Sequence, residues 1–229
     1  MLTAAAALLT VLLASNAQAA ERTPFQIRCE DDIGKTISLL TTRQNGYTLA
    51  HHLTTKELTR MKDPGAPNVR VLGLTKTESR VEIKLAGAIL QDTASTYECV
   101  APHITVRIFY APIVVYVGSE FALGSCAYQQ VLAHEMRHLR AYLDHLPIVE
   151  QLVRAALGHR FQNRPLYAPS GTASAALGHE IDSGWLPYIK AEMAKVEMQQ
   201  SAIDSPQEYA RLGASCNGDI SRIVGPQRR

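Results

Sequence analysis

Apolar positions change their spacing near the middle of the chain. Up to about residue 117 the repeat is two: Val81, Ile83 and Leu85 alternate with Arg80, Glu82 and Lys84, and Ile104, Val106 and Ile108 keep the same period. Such alternation predicts half-buried strands. Residues 24–118 are therefore expected to be strand-rich, with the last two strands near Val106–Tyr110 and Ile113–Val117. Turn chemistry at Asn45-Gly46 and Asp63-Pro64-Gly65 separates the strands, and Thr54 followed by Glu57 predicts a short capped helix over Lys56–Met61.

From Ser125, a favourable N-cap, the spacing becomes helical. Tyr128, Val131, Leu132, Leu139, Tyr142, Leu143 and Leu146 predict one long helix that Pro147 ends. A second amphipathic stretch, Ile148–Leu157, stops at Gly158, and a loop with Pro165, Pro169 and Gly171 follows. A third helical stretch covers Ala173–Ile203, with a bend expected at Gly184 or Pro187, and Ser205-Pro206-Gln207-Glu208 opens a last short helix. Strands first and helices over 125–216 predict an α+β fold.

Composition narrows the possibilities. Of 229 residues 46% are hydrophobic and 19% charged, which excludes disorder, collagen and coiled coil. Basic residues number 23 against 21 acidic ones, with no basic run longer than Arg228-Arg229, so nucleic acid is not an expected partner. Residues 1–20 carry no charge, an apolar run from Ala4 to Ala14 and the small-residue pattern Ala17-Gln18-Ala19. They predict a cleaved signal peptide, with only the free amino terminus as its positive end, and a secreted or periplasmic product without stable membrane insertion. Residues 21–229 then form one catalytic domain. Four cysteines without a CxxC spacing favour two disulfides in such a chain. Of three pairings, Cys29–Cys99 and Cys126–Cys216 are favoured, because each stays within one half of the chain.

Inside the long helix stands His134-Glu135-Met136-Arg137-His138, an HExxH pattern. Residues four apart lie about 6 Å along a helix on nearly one face, so two imidazoles can converge on one tetrahedral ion. Glu135 stands beside them as a base for metal-bound water. The bland alternative is a solvated helix face.

Over Ile104–Leu146 the sequence resembles the zincin clan of metallopeptidases, and most of all the predicted secreted zinc-dependent proteases of bacteria. The resemblance implies a strand-rich lobe before the HExxH helix, His134 and His138 as Zn2+ ligands, Glu135 as general base, and a peptide substrate along the sheet's edge strand just before the helix. Arg137 and Arg140 depart from the usual consensus, which has uncharged residues there.

The third ligand is open to several readings. The metzincin turn has no counterpart, since Ala141 stands where a glycine is needed. Asp144 reaches the ion only if the helix unwinds; otherwise it lies some 9 Å along the axis from His138, and His145 becomes a cation at the helix end. The gluzincin solution, a glutamate from a later helix, offers Glu180 or Glu208. A Cys126–Cys216 bond would bring Glu208 near the ion, so Glu208 is the assigned ligand, although Ser205-x-x-Glu208 also reads as a capping box. Tyr209, or less favourably Tyr142, could donate to an oxyanion. His51-His52 reads as an exposed pair, and Trp185 and Tyr188 as core. The expected activity is an exported zinc peptidase. The competing reading is a periplasmic binding or scaffolding protein whose metal is structural or absent.

Overall fold

The computed structural model describes residues 21–32, 37–43, 46–62 and 70–225. The signal segment 1–20 and the Asp63-Pro64-Gly65 turn lie outside the described residues, as does Asn45. The chain opens with α1 (Pro24–Ile27) and a π-turn over Arg28–Asp32, then β1 (Ile37–Arg43), β2 (Tyr47–Ala50) and α2 (Thr55–Lys62). Strands β3 (Gly73–Lys76), β4 (Ser79–Gln91), β5 (Tyr97–Tyr110) and β6 (Ile113–Val117) follow, and then α3 (Cys126–Phe161). Beyond it come β7 (Leu166–Pro169), α4 (Ala173–Glu180), a π-turn over Ile181–Trp185, α5 (Leu186–Ala194), α6 (Val196–Ile203) and α7 (Pro206–Val224). The fold is α+β, strands before helices.

Two sheets share one neighbour order. In the first β5 lies between β1, parallel to it, and β4, antiparallel; in the second β6 lies between β2 and β3 in the same way. Because β5 runs into β6 through Ala111-Pro112, the second sheet continues the first. The strand just before the HExxH helix is therefore central, and the free edge on the β3 side belongs to β3. This corrects the expected substrate edge.

Period-two burial sends Ile104, Val106, Ile108 and Tyr110 of β5 inward. They meet Leu139, Leu146, Val149 and Val153 of α3 in one core. That core explains why Pro147 does not end the helix. A proline inside a helix costs about 3 kcal/mol, but Leu146, Val149, Val153, Leu157 and Phe161 are all essentially buried, and each contributes roughly 1.5–3 kcal/mol. Pro147 itself faces solvent. Gly158 likewise stays helical, and the expected loop shrinks to a short connection into β7, which pairs antiparallel with the start of β5. Where a bend was expected at Gly184 or Pro187, a π-turn over Ile181–Trp185 joins α4 to α5 with helical angles at both its ends. The Thr54–Glu57 capping box is formed: each side chain bonds the other's backbone N–H, at 3.2 and 2.7 Å.

Both favoured disulfides are present. Cys29–Cys99 ties the first turn to β5, and Cys126–Cys216 ties the first residue of α3 to a break in α7, where Ser215–Gly218 leave helical geometry. Two such bonds are consistent with an oxidising compartment. No helix among the described residues is long and apolar enough to cross a membrane.

The start of α4 depends on a carboxylate from the sheet. Thr172, its N-cap, makes no side-chain cap bond; instead buried Glu98 of β5 accepts from the Ala173 N–H at 2.7 Å. Bonds from the backbone of Gly171 and Ala173 hold the Glu98 carboxyl below the usual carboxylate range. A depressed folded-state pKa means stability that is present above the unfolded value near pH 4 and lost as pH falls through the folded value. Glu98→Gln is therefore expected to lower Tm at neutral pH and to flatten its decline between about pH 5 and pH 3, as read by thermal melts across that range.

Candidate metal centre

Helix α3 carries His134, Glu135 and His138 to the cleft between β3 and α6. Both histidines are almost fully buried. Their rings meet edge to face with centroids 4.9 Å apart, and their Nε2 atoms lie 3.2 Å from each other. Asp204, at the corner where α6 ends and α7 begins, brings Oδ1 to 3.3 Å from His134 Nε2 and 3.2 Å from His138 Nε2. These three donor atoms form the His134/His138/Asp204 group.

The spacing fits a metal. Tetrahedral bonds of about 2.0–2.1 Å place ligand atoms about 3.3 Å apart, and the three contacts here are 3.2–3.3 Å. The donor chemistry agrees. His138 Nδ1 lies 2.5 Å from the Gln200 amide oxygen, which can only accept. The ring proton therefore belongs on Nδ1, and a neutral His138 turns its Nε2 lone pair toward the Asp204 carboxylate. Two lone pairs at 3.2 Å require a cation between them, either a proton or a metal ion.

The charges respond accordingly. Burial pushes the Asp204 carboxyl up, but bonds from His134, His138 and Lys62 overcome this and hold it far below the usual range. Burial also works against charge on His138, but the bond to Asp204, the nearby Glu135 carboxylate and the bond to Gln200 together outweigh it, so its pKa is raised. Lys62 Nζ sits 2.8 Å from the second oxygen of Asp204. Tyr209 donates from its hydroxyl to Asp204 Oδ1 at 3.1 Å, and burial together with Asp204 raises its pKa.

Glu135 is 3% exposed and its pKa is pushed up, chiefly by burial. The hydroxyl of Thr75 on β3 lies 2.9 Å from its carboxylate. Glycine at position 73 makes room for it: a Cβ there would stand 2.7 Å from Glu135 Cγ and 2.8 Å from the Tyr116 carbonyl. Gly73→Ala is expected to cost about 1–3 kcal/mol of stability through overpacking and to shift the Glu135 carboxylate. Chemical denaturation and a crystal structure of the variant check both effects. His134, Glu135, His138 and Asp204, with Gly73, Thr75, Tyr142 and Tyr209, line one cavity of about 260 Å³.

The structure distributes the sequence-assigned residues as follows. Glu208 is one layer behind the cavity: its Oε1 lies 3.2 Å from His134 Nδ1, on the far side of the ring from Asp204, and its carboxylate binds Arg211 and Arg137. Asp204, not Glu208, completes with the two histidines the group that could hold a metal ion. The Ser205 cap forms, its Oγ accepting from the Glu208 N–H at 3.3 Å, but the Glu208 side chain leaves the capping box for His134. Arg211 above all holds its pKa down to about 2. Glu180 is bound to Arg160 and Trp185; Arg160 is 22 residues beyond His138, roughly 33 Å along α3. Asp144 is exposed on an unbroken helix. His145 is not at a helix end but inside α3, buried, its Nε2 donating to the Glu192 carbonyl at 2.9 Å. His51 bonds the Phe121 carbonyl, and Trp185 and Tyr188 pack on the core.

Sequence reasoning missed Asp204, Gln200, Thr75 and Gly73. One signal was available: Gln200 and Asp204 are four apart at the end of the predicted third helical stretch, which puts two polar side chains on one face. No known family model matches the sequence, and no characterised protein or solved structure is similar enough to count as a relative.

Proposed function

We propose that this chain is an exported zinc-dependent peptidase. The observation that carries the reading is the meeting of His134 Nε2, His138 Nε2 and Asp204 Oδ1 at 3.2–3.3 Å in a cavity that also holds the Glu135 carboxylate. Two imidazoles and one carboxylate suit Zn2+ rather than Mg2+ or Ca2+, which prefer oxygen donors. Three protein donors leave a coordination position open, as catalysis needs, whereas structural zinc is closed by four. The similarity of the HExxH region to zincins agrees.

Zinc held there would bring the pKa of water to about 7 and polarise a bound carbonyl. Glu135 would be the base of that chemistry, able to accept a proton from the attacking water and return it to the leaving amine. Thr75 fixes the orientation of Glu135, and burial keeps the carboxylate from competing water. The Tyr209 hydroxyl, which lines the same cavity and donates to Asp204 Oδ1, would have to leave that partner to donate to the oxyanion of the tetrahedral intermediate. The free edge of β3 offers backbone groups for an extended peptide, residues Leu74 and Thr75 lining the cavity. The two disulfides support an extracellular or periplasmic setting.

The test is elemental analysis joined to proteolysis of an unstructured protein. One zinc per chain is expected, with cleavage abolished by chelator and restored by about one equivalent of Zn2+. Cleavage indifferent to chelator, or purified protein without stoichiometric metal, would contradict the proposal and favour a binding or scaffolding role.

A further inference from the structure

The far sides of both imidazoles are occupied as specifically as the near sides. Gln200, buried on α6, clips His138 twice: its amide oxygen accepts from the Nδ1–H at 2.5 Å, and its Nε2 donates to the His138 main-chain carbonyl at 3.2 Å. The second bond orients the amide, so Gln200 presents oxygen, not nitrogen, to the ring. Around His134 two groups compete. Glu208 Oε1, 3.2 Å from Nδ1, can only accept, while Arg137 Nη2, 2.9 Å from the same atom, can only donate. With its proton on Nδ1 the ring bonds Glu208 and offers Nε2 to a metal. With its proton on Nε2 it accepts from Arg137, donates to Asp204 at 3.3 Å and has no lone pair for a metal. Arg211 fixes Glu208 by two bonds, Nε to Oε2 at 2.9 Å and Nη2 to Oε1 at 2.8 Å, and is itself braced on Gln130 at 3.0 Å.

We propose that Gln200 and Glu208 are positioning residues that hold His138 and His134 in the Nδ1-protonated tautomer, aiming both Nε2 lone pairs at the metal, with Arg137 opposing Glu208 at His134. The inference rests on the zinc reading of the site. One short segment, residues 200–208, then supplies the third ligand and the outer partner of each of the other two. Hydrogen bonds of this kind raise ligand basicity and remove the wrong tautomer, and their loss typically costs about 10–100-fold in metal affinity.

Two measurements test it on the full mature chain. Zn2+ competition titration should show Gln200→Met binding about 10–100-fold more weakly, with Gln200→Glu restoring affinity because a carboxylate also accepts from Nδ1. Glu208→Ala should weaken binding over the same range, and adding Arg137→Ala should recover most of that loss by removing the opposing donor. Long-range 1H–15N spectra of metal-free protein, at a pH that leaves both rings neutral, should show Nδ1-protonated His134 and His138 in the wild type. His134 should move to the Nε2-protonated form in Glu208→Ala, and His138 should lose its preference in Gln200→Met. Unchanged tautomers, or variants that bind Zn2+ as the wild type does, would overturn the inference. If the wild type binds no zinc, the zinc reading falls, and the spectra still decide the tautomer assignment.

Discussion

Glu135→Gln is expected to lower kcat by about 10²–10⁴-fold while zinc content stays at the wild-type level. The substitution keeps volume and shape in a residue that is 3% exposed, so no cavity opens. The Thr75 hydroxyl, 2.9 Å from the carboxylate, can donate equally well to an amide oxygen. Stability should not fall. Burial disfavours the charged form of Glu135, and a neutral amide removes that cost, so Tm is expected to match or exceed the wild type. Turnover, Tm and zinc stoichiometry measured on one preparation separate chemistry from folding. Retained turnover of a substrate that the wild type cleaves would remove the general-base role.

Asp204→Ala is expected to release the metal, with zinc affinity falling by more than the hundredfold or so associated with losing an outer partner. Two imidazoles alone would remain, and Lys62, deprived of the carboxylate it now pairs with at 2.8 Å, would add its positive charge beside them. Stability should fall as well: the partly exposed Lys62 pair contributes only about 0–1 kcal/mol, but the bonds from buried His134, His138 and Tyr209 are lost with it. Zinc titration of Asp204→Ala beside Glu208→Ala distinguishes ligand from positioning residue. A larger loss in Glu208→Ala than in Asp204→Ala would return the third position to the residue that sequence had favoured.

What sequence could reveal follows from the range over which each signal acts. The alternation at Ile104, Val106 and Ile108 and the helical repeat from Tyr128 to Leu146 report local burial, and both elements stand where the pattern put them. The HExxH histidines converge because four residues make about one helical turn. Pro147 misled because its local cost is real but smaller than the burial gained by the residues after it, which depends on a sheet more than thirty residues away. β7 escaped notice because four residues with two prolines in the neighbourhood carry no period, yet β5 offers a free edge there.

The third ligand illustrates the limit most clearly. The Cys126–Cys216 bond did bring residue 208 beside His134, as its spacing implied. Which carboxylate enters the cavity and which stays behind the ring is decided by the turn at Asp204, with backbone angles of −80° and 39°, between α6 and α7. The pattern placed a break between Ile203 and Ser205, but not the direction in which it turns the Asp204 side chain. Glu208 is held outside by Arg211, three residues further along α7, and by Arg137, which meets it only through the fold.

The most direct test is zinc-edge anomalous diffraction from crystals of the mature protein grown with one equivalent of Zn2+. A single strong peak is predicted about 2.0–2.1 Å from His134 Nε2, His138 Nε2 and one oxygen of Asp204, with solvent as the remaining ligand and Glu135 unbonded. No peak between those three atoms, or a peak closed by a fourth protein ligand, would contradict it.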